Sequence, residues 1–175
     1  IKGGDICLSI QSADLNLFIE NEQFYHSYQP LYSLHDEEII GSEILLRAEI
    51  SNPTFIFEQA QKVNKLYELD TKSINKALLT YSLVEDSLKS GLIFLNIFPS
   101  TLTDIRFPSF INNILIKFPT LIPKIVFELN ESEDCDQNLF FQRVNMLKNY
   151  GFLIAVDDVG KGWSSLTRII DLEPH

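Results

Sequence analysis

Four apolar runs of this sequence carry polar side chains that a strand buried on both faces does not require. Glu43 and Arg47 stand in EIIGSEILLRAEI, Asn96 in LIFLNIF, Glu128 and Glu131 in KIVFELNE, and Asp157 and Asp158 in IAVDDVG. Two adjacent carboxylates repel each other, and burying them unpaired is costly. The Asp157–Asp158 pair therefore calls for a positive partner or for a turn that opens to water. Glu43, Asn96, Glu128, Asp157 and Asp158 are all oxygen donors, which selects hard cations such as magnesium, manganese or calcium. Four carboxylates and one amide could hold one or two divalent ions. Two such ions about 3.5–4 Å apart activate water and clamp a phosphodiester for in-line displacement. Arg47, a planar fork of donors, then suits a phosphate oxygen better than lysine would. Two plainer readings stand beside this one. Glu43 could pair with Arg47 in a core, and the aspartates could form an ordinary turn.

The elements that must position these groups alternate in type. SADLNLFIEN has helical spacing, with Ser12 as a cap. FYHSYQPLYSL and EIIGSEILLRAEI are strand-like and are joined by HDEE, a link too short for a parallel crossover, so the pair is antiparallel. A long helical region follows to Gly91, with a break near ELDTKS that places the start of a second helix at Asp70 or Thr71. LIFLNIF is apolar on both faces, as a buried parallel strand is. PSTLTDIRFPSFINNILIKFP returns to helical spacing with an interruption at Pro108; KIVFELNE is a strand and DQNLFFQRVNMLKNYG a helix closed by Gly151. FLIAVDDVG is the next strand, and SSLTRIIDL begins the next helix. Repeated strand and helix predict an α/β fold with a parallel sheet and right-handed crossovers. Polar groups gathered at several strand ends favour a barrel over a doubly wound sheet, because barrel sites are built there. The latter would carry a glycine-rich phosphate loop after an early strand, and IKGGD follows no strand.

Composition narrows the class. The 175 residues, 45% hydrophobic and 22% charged, suit one globular domain. A formal net charge of −10 argues against a DNA-binding surface, so an anionic ligand must be met by local cations. The two cysteines, Cys7 and Cys135, supply neither a zinc quartet nor a disulfide framework and fit a reducing cytoplasm. No run reaches the roughly 20 apolar residues of a membrane span. His26 and His35 read as surface residues beside the hairpin.

Four blocks, in order, resemble one known family. YQPLYSLHDEEIIGSEILLR resembles the opening of the EAL-domain cyclic di-GMP phosphodiesterases, with SEIL where the family has its EAL triplet. FLNIFPSTL resembles its asparagine strand, IVFELNESE its ELTE strand, and GFLIAVDDVGKGWSSLTRI its DDFGTGYSSL loop. The resemblance implies a TIM-like (β/α) barrel with an antiparallel first strand, residues 1–23 being an N-terminal segment with a short helix and 24–175 a partial barrel. It implies hydrolysis of cyclic di-GMP to linear pGpG in bacterial second-messenger signalling, with Mg2+ or Mn2+, in a cytoplasmic homodimer. By position, Glu43, Asn96, Glu128, Asp157 and Asp158 match the metal ligands, with Glu43, Asp157 and Asp158 at the centre of catalysis. Gln29 and Arg47 match dinucleotide contacts, and Glu131 matches the glutamate that steadies the loop after the aspartate pair.

The chain departs from the family pattern at several points. Ile44 replaces the alanine of the triplet, Phe98 a serine and Asn130 a threonine. Val159, Lys161 and Trp163 alter the loop after the aspartates. The sequence ends at His175, before the strand that bears the family's lysine, so the barrel is expected to be incomplete and this stretch alone inactive. An EAL-like domain that binds cyclic di-GMP or a protein partner without cleavage is the alternative expectation.

Overall fold

The computed structural model describes residues 12–85, 91–130 and 135–157. Helix α1 (Ser12–Glu20) precedes an antiparallel hairpin, β1 (Tyr25–Tyr32) and β2 (Ile39–Arg47). Helices α2 (Pro53–Lys62) and α3 (Leu66–Ser82) lead to β3 (Leu92–Ile97). Two further helices, α4 (Pro99–Thr103) and α5 (Phe107–Lys117), lead to β4 (Ile125–Asn130), and α6 (Gln137–Asn149) leads to β5 (Leu153–Asp157). The five strands lie in one sheet in sequence order, with β2 to β5 parallel.

Strand alternation divides the sheet into two faces. On one face Ile44, Leu46, Ile93, Leu95, Ile97, Ile125, Phe127, Leu129 and Ile154 are at most 5% exposed. Most of them join a core with Ile74, Ala77 and Leu78 of α3, Phe107 and Ile111 of α5, and Phe140, Val144 and Leu147 of α6. A second cluster joins α1 to the same body, with Leu15, Phe18 and Ile19 packed with Phe24, Leu46, Ile56, Ala60 and Leu69. The opposite face begins with apolar Phe94 and Val126 and turns polar toward the C-terminal ends of the strands.

Caps and turns account for several boundaries. Asn52 caps α2 by accepting from the Phe55 N–H at 2.8 Å, with Pro53 in the first turn. Asp136 does the same for α6 through the Leu139 N–H at 3.1 Å. The break between α2 and α3 falls at Val63–Lys65, where Asn64 has φ +56°, and not at Asp70, which lies inside α3. Gly91 does not end the helix either: α3 stops at Ser82, and Gly91, at φ +66°, opens β3. Pairing of β2 with β3 starts at Gly41 opposite Leu92. A Cβ at Gly41 would collide with the Leu92 carbonyl, and one at Gly91 with the Ile40 carbonyl.

Lysines on α3 fasten the α1–β1 connection. Lys76 Nζ donates to the Glu22 and Phe24 carbonyls at 2.7 and 2.6 Å and lies 4.8 Å over the Phe24 ring; Lys72 Nζ reaches the Glu20 carbonyl at 3.3 Å. Beside them His26, expected at the surface, is half-buried, and its Nε2 is 3.0 Å from Ser73 Oγ. Burial first, and the Lys76 charge second, lower its pKa from 6.5 to about 4. The folded form therefore holds fewer protons than the unfolded chain between these values, and stability falls as the pH drops from 6.5 toward 4. His26→Gln is expected to flatten that limb of the stability–pH curve. Urea melts across this pH range check it; an unchanged slope would refute it.

Candidate functional site

The register places the acidic and amide residues by parity. Glu43 pairs with Phe94, Asn96 with Glu128, Glu128 with Ala155 and Asn130 with Asp157. Counting along the strands, Glu43, Asn96, Glu128 and the Asp157 position therefore fall on one face, the one turned away from the helices. They ascend as steps. Glu43 stands lowest, Asn96 and Glu128 two residues further toward the strand ends, and Asp157 two beyond that. Gln29 on β1 lies directly opposite Glu43, and Arg47 is four residues above Glu43 on the same face.

Side-chain contacts tie part of this row together. Asn96 Nδ2 donates to Glu43 Oε1 at 2.7 Å. Arg47 Nη1 donates to its neighbour's Leu46 carbonyl at 2.9 Å, so this guanidinium is engaged by backbone while Glu43 is engaged by Asn96. Glu43, Arg47, Asn96 and Glu128 are each half-buried, facing a surface that water reaches. The Asp157 side chain, and Glu131 and Asp158 entirely, lie outside the described residues, as do the loop positions Val159, Lys161 and Trp163. Among the described residues, no three or more histidine, cysteine, aspartate or glutamate side chains gather around a possible metal position. The donors described on the face, two carboxylates and an amide, fit a hard divalent cation and offer no soft ligand.

Two supports of the site were not legible in the sequence. Asp70, 2% exposed on α3, accepts the Phe98 N–H at 3.1 Å and so fixes the chain two residues past Asn96. The Phe98 ring packs on Phe57 of α2, with centroids 5.1 Å apart and planes at 42°. An open cavity of about 490 Å³ lies between these helices and the ends of β2 and β3, lined among others by Arg47, Phe57, Gln61, Asp70, Asn96 and Phe98. A signal for Asp70 does exist: it is an acid within the otherwise apolar stripe Leu69, Ile74, Ala77 and Leu78.

A sheet whose strands β2 to β5 are parallel with intervening helices, an antiparallel first strand, and oxygen donors on one face toward the strand ends, is the arrangement of a TIM-like (β/α) barrel, incomplete in this chain. Residues 12–175 match the EAL domain, and the chain belongs to that family. It is 31% identical over 161 residues to the probable cyclic di-GMP phosphodiesterase PdeN of Escherichia coli, covering 85% of this chain and 30% of PdeN. The blue light- and temperature-regulated antirepressor BluF of Escherichia coli is 27% identical, over 88% of this chain and 38% of BluF. The same fold is found in the Bacillus subtilis YkuI protein, whose EAL-domain structure was solved with cyclic di-GMP and calcium. The TM-score is 0.70 at 23% identity, over 91% of this chain and 42% of that one. The chain thus spans well under half the length of each of these proteins. No described helix is long and apolar enough to cross a membrane.

Proposed function

We propose that this domain hydrolyses cyclic di-GMP to linear pGpG with Mg2+ or Mn2+, in the cytoplasm of a bacterium and as a homodimer. The observation that carries the reading is that the register puts Glu43, Asn96, Glu128 and the Asp157 position on the same face of the sheet, rising in steps toward the strand ends. These four, with Asp158, would hold the cation. Bound there, a divalent ion supplies an activated water and neutralises charge at the phosphate. The chain's own residues do the positioning. Asn96 holds one oxygen of the Glu43 carboxylate in place. Gln29 and Arg47 flank Glu43 along the same face and would bind the dinucleotide, Arg47 through a phosphate oxygen. Glu131 would steady the loop after Asp158. Water adds to phosphorus and the P–O3′ bond breaks, leaving pGpG with its 5′ phosphate. The YkuI structure, which contains cyclic di-GMP and calcium, supports both the ligand and an oxygen-loving cation.

The second reading is a domain that binds cyclic di-GMP or a protein partner without cleaving it. The substitutions Val159, Lys161 and Trp163 favour it, and so does the likeness to the antirepressor BluF. One experiment separates the two. The full-length protein is incubated with cyclic di-GMP and Mg2+ or Mn2+, with and without chelator, and the products are resolved by chromatography while binding is followed by calorimetry. Metal-dependent pGpG is expected. Binding without product supports the second reading, and absence of binding eliminates cyclic di-GMP as the ligand.

A further inference from the structure

The cavity beside the site has a feature that the metal-binding face does not use, an aromatic wall. Phe98 follows β3 directly, stands where the family pattern has a serine, and is held at its N–H by Asp70 and at its ring by Phe57. Both rings line the cavity that Arg47 and Asn96 also line. The volume of about 490 Å³ has room for a bicyclic heteroaromatic ring. The lining joins apolar faces to polar edges: Phe57 and Phe98 offer π-surface, and Arg47 and Asn96 offer donors. A purine matches this with flat apolar faces and with ring nitrogens and a carbonyl that accept from such donors, whereas a phosphate has no use for a phenyl wall.

Resting on the phosphodiesterase or binding reading above, we infer that Phe57 and Phe98 form a stacking wall for one guanine base of the dinucleotide and so act as substrate-binding residues. The wall lies next to Arg47 and Asn96, so a base seated on it brings the attached phosphate toward the Glu43 side of the face. Its aromatic character is a property of this sequence: a serine at position 98 would leave the Phe57 ring without its partner.

The test uses the full-length protein with cyclic di-GMP, reading KM and kcat if it cleaves and Kd by calorimetry if it does not. Phe98→Leu keeps most of the volume and removes the π-face, and Phe98→Tyr restores the face. The Leu variant is expected to raise KM or Kd about tenfold or more with kcat unchanged, and the Tyr variant to stay within about threefold of wild type. Phe57→Leu, read in the same way, serves if Phe98→Leu lowers the thermal midpoint too far to assay. A Leu variant that binds as tightly as wild type overturns the wall while leaving the parent reading intact. A Tyr variant as weak as the Leu variant also overturns it. Wild-type protein that does not bind cyclic di-GMP removes both.

Discussion

Glu43→Ala is expected to abolish metal-dependent binding and turnover of cyclic di-GMP while leaving the fold in place. Glu43 is half-buried on the open face of β2, and its carboxylate is engaged by Asn96 rather than by the core. Removing it takes away a negatively charged oxygen donor and leaves the Asn96 amide facing a surface that water can reach, so the cost to stability is small. The cost to function is large on the proposed reading. Loss of a group that merely supports a metal ligand costs about 10–100-fold, and loss of a ligand itself should exceed that. Glu43→Gln sharpens the result, because its amide oxygen still accepts from Asn96 but carries no charge. Both variants should melt near the wild-type temperature and fail in calorimetric titrations with Mn2+ and cyclic di-GMP. Wild-type affinity in either would remove the proposed site.

The second large effect is on folding. Gly91→Ala is expected to destabilise the domain by about 3 kcal/mol or more. The left-handed backbone at φ +66° costs a non-glycine residue about 1–3 kcal/mol, and the added methyl also meets the Ile40 carbonyl, which cannot rotate away. The strain falls where β3 enters the sheet beside Gly41, so it should loosen the β2–β3 pairing that keeps Glu43 and Asn96 in contact. Chemical denaturation of wild type and variant measures the difference. A midpoint shift equivalent to less than 1 kcal/mol would count against the close approach described here.

Much of the architecture was readable from hydrophobic period alone. The antiparallel first hairpin follows from a short link, and the buried strands LIFLNI and IVFELN follow from runs too short and too apolar to be surface helices. The boundaries that were misplaced share a cause, since local signals were read without tertiary context. Gly91 looks like a helix stop but serves a strand entry, because only the position of Ile40 across the sheet makes its missing side chain necessary. Asp70 looks like a helix start because acids favour first turns, yet its partner, the Phe98 N–H, lies 28 residues away. His26 reads as exposed because it stands near the hairpin; its partial burial comes from α3, through Ser73 and Lys76. The common face of Glu43, Asn96 and Glu128 was legible because strand parity is a local property. The Phe57–Phe98 wall was not, since it joins two elements that only the fold brings together.

The two-sided character of β2 also governs which kinds of genetic change this domain can absorb. Ile44 and Leu46 serve the interior while Glu43, Leu45 and Arg47 serve the mouth, so a single inserted or deleted codon between Gly41 and Arg47 would exchange the two sets. A charged group would enter the oily layer and an interior leucine would turn to the polar face at the same moment. Drift along this strand is therefore confined to substitutions, and changes of length should accumulate instead at Ser33–Glu38, where the hairpin turns in solvent.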